Sequence, residues 1–250
     1  MVAGTGPRGM LAGMPSSLPY TQVAAVTRQG RSHETNDDRF GLLDPRVEAV
    51  RLARRGVVYA VADGVSSSAA GNEAAQLCIE SLLEFFTANR TPTEDLLLDI
   101  VERADAEVRL TTGSACTLVG IWLCHGVATI FSVGDSSVVL VRDGAARRLN
   151  PLQRRGGGLA AFVGMGSGVR SSMFLESLPM KEHDRFWLGS DGAFDLVDEA
   201  WLVRSCSVAE SIDMVRPRFD GLHDDDATLV GIEVLALEAN PWQERAMQDG

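Results

Sequence analysis

The aspartates of this chain stand where its short apolar runs end. Val57-Val58-Tyr59-Ala60-Val61-Ala62 runs into Asp63-Gly64, Ile130-Phe131-Ser132-Val133-Gly134 into Asp135-Ser136, and Phe186-Trp187-Leu188-Gly189-Ser190 into Asp191-Gly192. Asp224-Asp225-Asp226 directly precedes Ala227-Thr228-Leu229-Val230-Gly231-Ile232. Runs of this length, rich in Val, Ile and aromatics, read as buried strands. A carboxylate at the mouth of a strand is held by a rigid element yet faces the edge of the core. Several such carboxylates brought together make a site for hard divalent cations, which take oxygen ligands.

At 250 residues the chain is long enough to bury a sizeable core. The formal net charge of -11 argues against a nucleic-acid binder, which needs a basic footprint, and it disfavours docking on anionic membranes. The four cysteines, Cys78, Cys116, Cys124 and Cys206, show no Cys-x-x-Cys spacing. They read as reduced thiols of a cytoplasmic protein, not as a zinc or disulfide framework. The segment from Leu110 to Gly134 has no formal charge and is long enough to span a bilayer. His125-Gly126 interrupts it, however, and hydroxyl residues are spread through it, so two buried strands joined by a tight turn are expected.

Residues 1–18 read as a flexible leader, 19–238 as one catalytic domain and 239–250 as a polar tail. Strands are expected at 20–27, 40–43, 57–63, 115–124, 127–133, 137–142, 145–149, 185–189 and 227–235. Ala74, Ala75, Cys78, Leu82, Phe85 and Phe86 recur at helical steps, as do Leu97, Ile100, Val101, Ala104 and Val108. Thr91-Pro92-Thr93-Glu94 reads as the start of the second of these helices. One or two further helices are expected between 192 and 219. Arg46 to Arg55 reads as a charged connection, and 151–183, with its glycine runs, as a poorly patterned mobile region beside a site. Short separators such as Asp143-Gly144 imply antiparallel hairpins. The whole predicts an α+β fold, a layered sandwich of antiparallel sheets covered by helices.

Five segments, in order, resemble the metal-dependent protein phosphatases, the type 2C class of serine/threonine phosphatases, in their bacterial form. They are Asn36-Asp37-Asp38; Val61-Ala62-Asp63-Gly64 with Ala70-Gly71-Asn72-Glu73-Ala74-Ala75; Gly113-Ser114-Ala115-Cys116-Thr117; Val133-Gly134-Asp135-Ser136 with Asp143-Gly144; and Ser190-Asp191-Gly192 with Asp225-Asp226-Ala227-Thr228. The resemblance covers about residues 20–236. It implies a four-layer αββα sandwich of two antiparallel sheets flanked by helices, with two Mg2+ or Mn2+ ions in a cleft at one edge. It also implies Asp63, Asp191 and Asp225 as direct ligands, a backbone carbonyl from Gly64, and Asp37 in place of the family's Glu. Asp38 becomes a ligand or its neighbour, and Asp135 with Asp191 serves a third metal. Asp226 reads as a neighbour that holds the loop. The implied reaction is hydrolysis of phosphomonoesters by a hydroxide shared between the two ions, with in-line attack at phosphorus. No protein nucleophile is required, in keeping with a chain that lacks a Cys-x5-Arg loop.

Three departures from the family pattern bear on substrate handling. His33 stands where members place a phosphate-gripping Arg, and Arg31, two residues back, is placed to compensate. Val65-Ser66-Ser67-Ser68 replaces the His that follows Asp-Gly in many members, which leaves leaving-group protonation to water or His33. Ser137 replaces the Arg after Gly-Asp-Ser, and Asn150-Pro151-Leu152-Gln153 replaces Asp-His-Ser. Arg154-Arg155 reads as surface charge, Gly156-Gly157-Gly158 as a flap and His125 as a turn residue. His183 and His223 read as exposed. The expected protein is a cytoplasmic monomer that dephosphorylates serine and threonine of proteins opposite a cognate kinase. The alternatives are a non-catalytic phosphatase-like binding or regulatory protein and a phosphatase of small molecules.

Overall fold

The computed structural model describes residues 18–65, 70–204, 206–221 and 223–237. In chain order the elements are β1 (Tyr20–Arg28), β2 (Asp38–Leu43), α1 (Glu48–Ala53), β3 (Val57–Asp63), α2 (Gly71–Ser81), α3 (Glu84–Thr87) and α4 (Glu94–Thr111). There follow β4 (Leu118–Cys124), β5 (Val127–Val133), β6 (Ser137–Arg142), β7 (Ala145–Arg148), β8 (Arg154–Arg155), β9 (Gly158–Leu159), α5 (Val169–Ser172) and β10 (Phe174–Pro179). The chain closes with β11 (Arg185–Gly189), α6 (Asp191–Leu196), α7 (Glu199–Leu202), α8 (Val208–Phe219) and β12 (Ala227–Ala236).

Two five-stranded sheets form, in the orders β1-β12-β11-β6-β7 and β10-β5-β4-β3-β2, and every pairing in them is antiparallel. Period-2 alternation explains how they stack. In β12, Val230, Ile232 and Val234 enter the main core, whereas Ala227 and Leu229 enter a second one. In β11, Phe186 and Leu188 face the main core and Trp187 the second; in β6, Val138 and Leu140 oppose Val139 and Val141. One face of this sheet therefore packs on the other sheet. Its opposite face is covered by α6, α7 and α8, which contribute Ala193, Trp201, Ile212 and Phe219. α2 and α4 cover the far face of the second sheet through Ala74, Cys78, Leu97 and Ile100. The result is the four-layer α+β sandwich expected from the sequence.

Trp187 lies opposite Gly231, where a Cβ would come within 2.5 Å of its ring, so the glycine lets the indole lie across the strand and meet Trp201 edge-on. α4 starts within Thr91-Pro92-Thr93-Glu94, capped by Thr93, whose Oγ1 accepts from the Leu96 amide at 3.3 Å.

The structure corrects several expectations. The connection at 46–55 holds α1, which buries only Val50. The helical pattern of 74–86 divides into α2 and α3, and three helices fill 191–219. Within 151–183 the chain forms a β8–β9 hairpin, α5 and the edge strand β10, which pairs with β5 along its whole length. β10 escaped notice because an edge strand with one buried residue, Leu178, has no clear period. Leu18, assigned to the leader, is buried in the main core. The rest of the leader and the tail from residue 239 lie outside the described residues, as does Ser66-Ser67-Ser68. Among the described residues no helix is long and apolar enough to cross a membrane.

Candidate metal centre

Antiparallel pairing carries the acidic residues to one rim. Asp38 opens β2 and pairs with Asp63, which closes β3. Asp135 lies between β5 and β6, Asp191 begins α6 just beyond β11, and Asp225-Asp226 leads into β12. The two sheets are tied there through one hydroxyl. Ser190 Oγ donates to Asp38 Oδ2 at 2.8 Å and accepts from the Thr228 amide at 3.0 Å. Asn36 Nδ2 donates to Thr27 Oγ1, which shares a hydrogen with Thr228 Oγ1 at 2.7 Å. Gly64 is packed so closely that a Cβ would sit 2.4 Å from the backbone of Gly71 and 2.9 Å from the Asp37 carbonyl. No larger residue fits between the end of β3 and the start of α2.

The carboxylates are crowded. Asp38 is buried, and its Oδ1 has no hydrogen-bond partner. Burial, reinforced by Asp226 and Asp225, pushes its pKa up to about 7, against the lowering effect of Ser190 and Thr228. Asp63 is held well above the usual carboxylate range by burial and then by Asp38, Asp191, Asp225 and Asp135. Burial also raises Asp135, where Arg154 offsets part of the effect, and Asp225, where Asp191 adds repulsion and His33 relieves some of it.

Asp226 ties two loops together. Its Oδ1 accepts from the Gly30 amide at 2.8 Å and its Oδ2 from the Asp37 amide at 2.6 Å. It also lies 2.8 Å from His33 Nδ1, an ion-pair contact off the line of a hydrogen bond. His33 Nε2 is 3.7 Å from Asp225 Oδ1. Burial works against charge on this ring, but Asp226, Asp225 and Asp37 outweigh it and raise its pKa. Among the described residues, His33, Asp37 and Asp226 form a trio whose ligand atoms lie within 4.8 Å of one another. The set Asp63, Asp191 and Asp225 shares the rim and its electrostatics without forming such a trio.

Two residues sit differently from their sequence reading. Arg31 is on the surface, paired with Asp224 at 2.5 Å. His223 is half-buried: its Nδ1 lies 2.6 Å from the Asp225 carbonyl and its Nε2 2.8 Å from that of Phe219, so it fixes the loop of ligand candidates. One residue was missed. Arg154 reaches into the site, with Nε 2.6 Å from Asp135 Oδ2 and Nη2 2.6 Å from Asp191 Oδ2. Its only sequence signal is its position beside a glycine turn downstream of Gly134-Asp135-Ser136. Beside it lies a cavity of about 560 Å³ whose lining includes Val65, Gly157, Gly158 and Phe162.

The residues suit a hard cation: an orphaned buried carboxylate oxygen and several acids that raise one another's pKa are relieved by positive charge. No curated protein matches the chain significantly by sequence. Among solved structures, PppA, described as a key regulatory component of T6SS in Pseudomonas aeruginosa, superposes with a TM-score of 0.71 at 20% identity, covering 87% of this chain and 99% of that one. The catalytic domain of the serine/threonine protein phosphatase PstP, in complex with two manganese ions, gives 0.69 at 22% identity, covering 86% and 98%. The phosphatase MsPP of Mycobacterium smegmatis, in complex with cacodylate, gives 0.67 at 24%, covering 85% and 98%. The sequence profile described as protein phosphatase 2C matches residues 27–229, most of the chain, and with the antiparallel sandwich and its acidic rim this places the protein in the protein phosphatase 2C family.

Proposed function

We propose that the chain is a metal-dependent phosphatase that removes phosphate from serine and threonine of proteins. The observation that carries this reading is Asp38, a buried acid with a free oxygen among Asp63, Asp225 and Asp226, a costly arrangement unless a cation compensates it. Asp63, Asp191, Asp225, Asp37, Asp38 and the Gly64 carbonyl are the groups proposed to hold two Mg2+ or Mn2+ ions. When bound, such ions supply Lewis-acid neutralisation of phosphoryl oxygens and acidify a coordinated water.

The chain's own residues have the remaining tasks. Asp226 braces Gly30 and Asp37, fixing the loop that carries His33. His33, whose pKa its acidic neighbours raise against the effect of burial, is placed to bind a phosphate oxygen in place of the family's Arg. Its Nε2 proton is the one available for the leaving oxygen. Arg31 pairs with Asp224 at the surface, so any part it takes in phosphate binding requires that exposed pair to open.

The test is hydrolysis of a phosphothreonine peptide and of p-nitrophenyl phosphate with Mn2+, with Mg2+ and with chelator. Turnover that requires metal and is lost in Asp63→Asn supports the reading; metal binding without turnover overturns it. The latter outcome would favour a phosphoprotein-binding, regulatory role, to which Arg154 on two of the ligand candidates also lends support. Preference for free phosphoserine over the peptide would point to a small-molecule substrate.

A further inference from the structure

The backbone that carries Arg154 is anchored on the same turn that carries Asp135. Gln153 donates its amide to the Gly134 carbonyl at 3.0 Å, and its Oε1 accepts from the Gly134 amide at 2.8 Å. Its Nε2 donates to the Ser172 carbonyl at 2.5 Å, and the Ala160 amide closes the base of the hairpin on the Gln153 carbonyl at 2.8 Å. Asn150 is buried and locks the preceding residues, donating to the Ser136 carbonyl at 2.9 Å and accepting from the Val138 amide at 2.8 Å. The Cα of Arg154 is thus fixed next to Asp135 by backbone hydrogen bonds, and the fork of its guanidinium spans the gap to Asp191.

Both acids are engaged. Asp135 Oδ2 takes Nε, while Asp191 Oδ2 takes Nη2 and Asp191 Oδ1 accepts from the Gly192 amide at 2.8 Å. Asp135 is buried, Asp191 is about one-third exposed, and Arg154 is half exposed across the mouth of the adjoining cavity. A planar guanidinium is suited to such a pair, and charge-assisted hydrogen bonds of this length are the strong ones.

We propose that Arg154 is the resident cation of the Asp135–Asp191 pair. Its guanidinium takes the place that these two carboxylates would otherwise give to a divalent ion, and in doing so it latches the β8–β9 hairpin over the rim. A guanidinium and a divalent ion cannot occupy the pair together, so metal at this position and the docked Arg154 side chain are mutually exclusive. The wild-type chain therefore holds no further divalent ion between Asp135 and Asp191, and the two ions of the proposed centre lie on the Asp38–Asp63–Asp225 side, toward which Asp191 has only its Oδ1 to offer. This inference rests on the metal-binding reading above and specifies which part of the rim the metal uses.

The test is the stoichiometry of Mn2+ binding, by calorimetry and by the paramagnetic resonance of free Mn2+, for wild type, R154Q and R154Q/D135N. Arg154 is half exposed and its hairpin is held by Gln153, so R154Q is expected to fold; circular dichroism checks each variant. R154Q should bind one more Mn2+ per chain than wild type, with affinity for that ion raised roughly tenfold or more, as expected for removing a charge-assisted competitor. D135N in the same background should abolish the extra ion. The inference is overturned, with the phosphatase reading intact, if wild type binds Mn2+ and R154Q binds the same number with the same affinities. Absence of any Mn2+ binding by wild type and R154Q alike would overturn both.

Discussion

Two buried aspartates at opposite ends of the sandwich differ in how completely they are paired. Asp184, at the rim away from the candidate centre, accepts from Arg142 Nε at 2.7 Å, from Arg142 Nη2 at 2.6 Å and from the Lys181 amide at 2.7 Å. Asp38 is buried to a similar degree, yet one of its oxygens has no partner and its nearest charged neighbours are other acids. An acid that serves the fold arrives with its cation covalently attached to the chain. An acid left unpaired inside a cluster of its own kind is one whose cation must come from solution. Asp135 and Asp191 fall between the two, at the functional rim but with a cation supplied by the chain.

The contrast can be broken first at the structural end. Arg142→Ala strands Asp184 and should cost about 3–5 kcal/mol of stability in urea titrations, equally with Mn2+ and with chelator. A smaller loss, or one that Mn2+ repairs, would remove the distinction between the two ends.

The next effect lies in the pH dependence of the metal-stripped protein. Asp38 titrates at about 7 when folded against an ordinary 3.8, so the native state holds the proton more tightly than the unfolded chain. Its contribution is fully present below about pH 4 and is lost as pH rises through 7; the raised His33 contributes in the same direction at the upper part of that range. With chelator, Asp38 alone should therefore lower stability by up to about 4 kcal/mol between pH 4 and pH 8. Asp38→Asn should flatten part of that slope, the remainder staying with Asp63, Asp135 and Asp225, which are raised as well, and Mn2+, which binds the ionised acids, should reverse it. A wild-type slope unchanged by the substitution would show that Asp38 does not carry it.

Ser190→Ala sharpens the comparison at the link between the sheets. Loss of the hydroxyl shared by Asp38 and the Thr228 amide should cost about 1–3 kcal/mol, and it should weaken Mn2+ binding because Asp38 loses its orientation. Thr93→Ala, at the N-terminus of α4 and outside both rims, should cost only about 1 kcal/mol and leave Mn2+ affinity unchanged. A change in affinity there would mean that metal binding reports general stability and not the local arrangement of acids.

Much of the architecture was legible because it depends on local regularities. β3, β5, β11 and β12 are largely buried apolar runs, and the helical spacing of Leu97, Ile100, Val101, Ala104 and Val108 marks α4 wherever it packs. α1 and β10 were not legible, since each buries a single residue and depends on its neighbours for its conformation. The candidate site divides in the same way. Asp63, Asp135, Asp191 and Asp225 announce themselves by standing at strand ends. Arg154 and Arg155 are indistinguishable in sequence, and only the clamp of Gln153 on Gly134 turns the first toward Asp135. His223 likewise reads as surface until the end of α8 brings the Phe219 carbonyl within reach of its ring.

By itself the sequence determined most of the buried strands, that carboxylates would sit at their ends, and that enough acids of the right type for hard cations were present. Those are properties of composition and short-range periodicity, and they survive any arrangement of the strands. The tertiary structure decided which acids have partners. Ser190 reaches Asp38 across 152 positions of sequence, and Asp226 reaches Asp37 across 189, contacts that exist only because antiparallel pairing returns the ends of β2, β3, β11 and β12 to one rim. Whether a buried charge is satisfied, shared or left for an ion is fixed by distances of a few ångströms between segments far apart in the chain, and no local pattern encodes those distances.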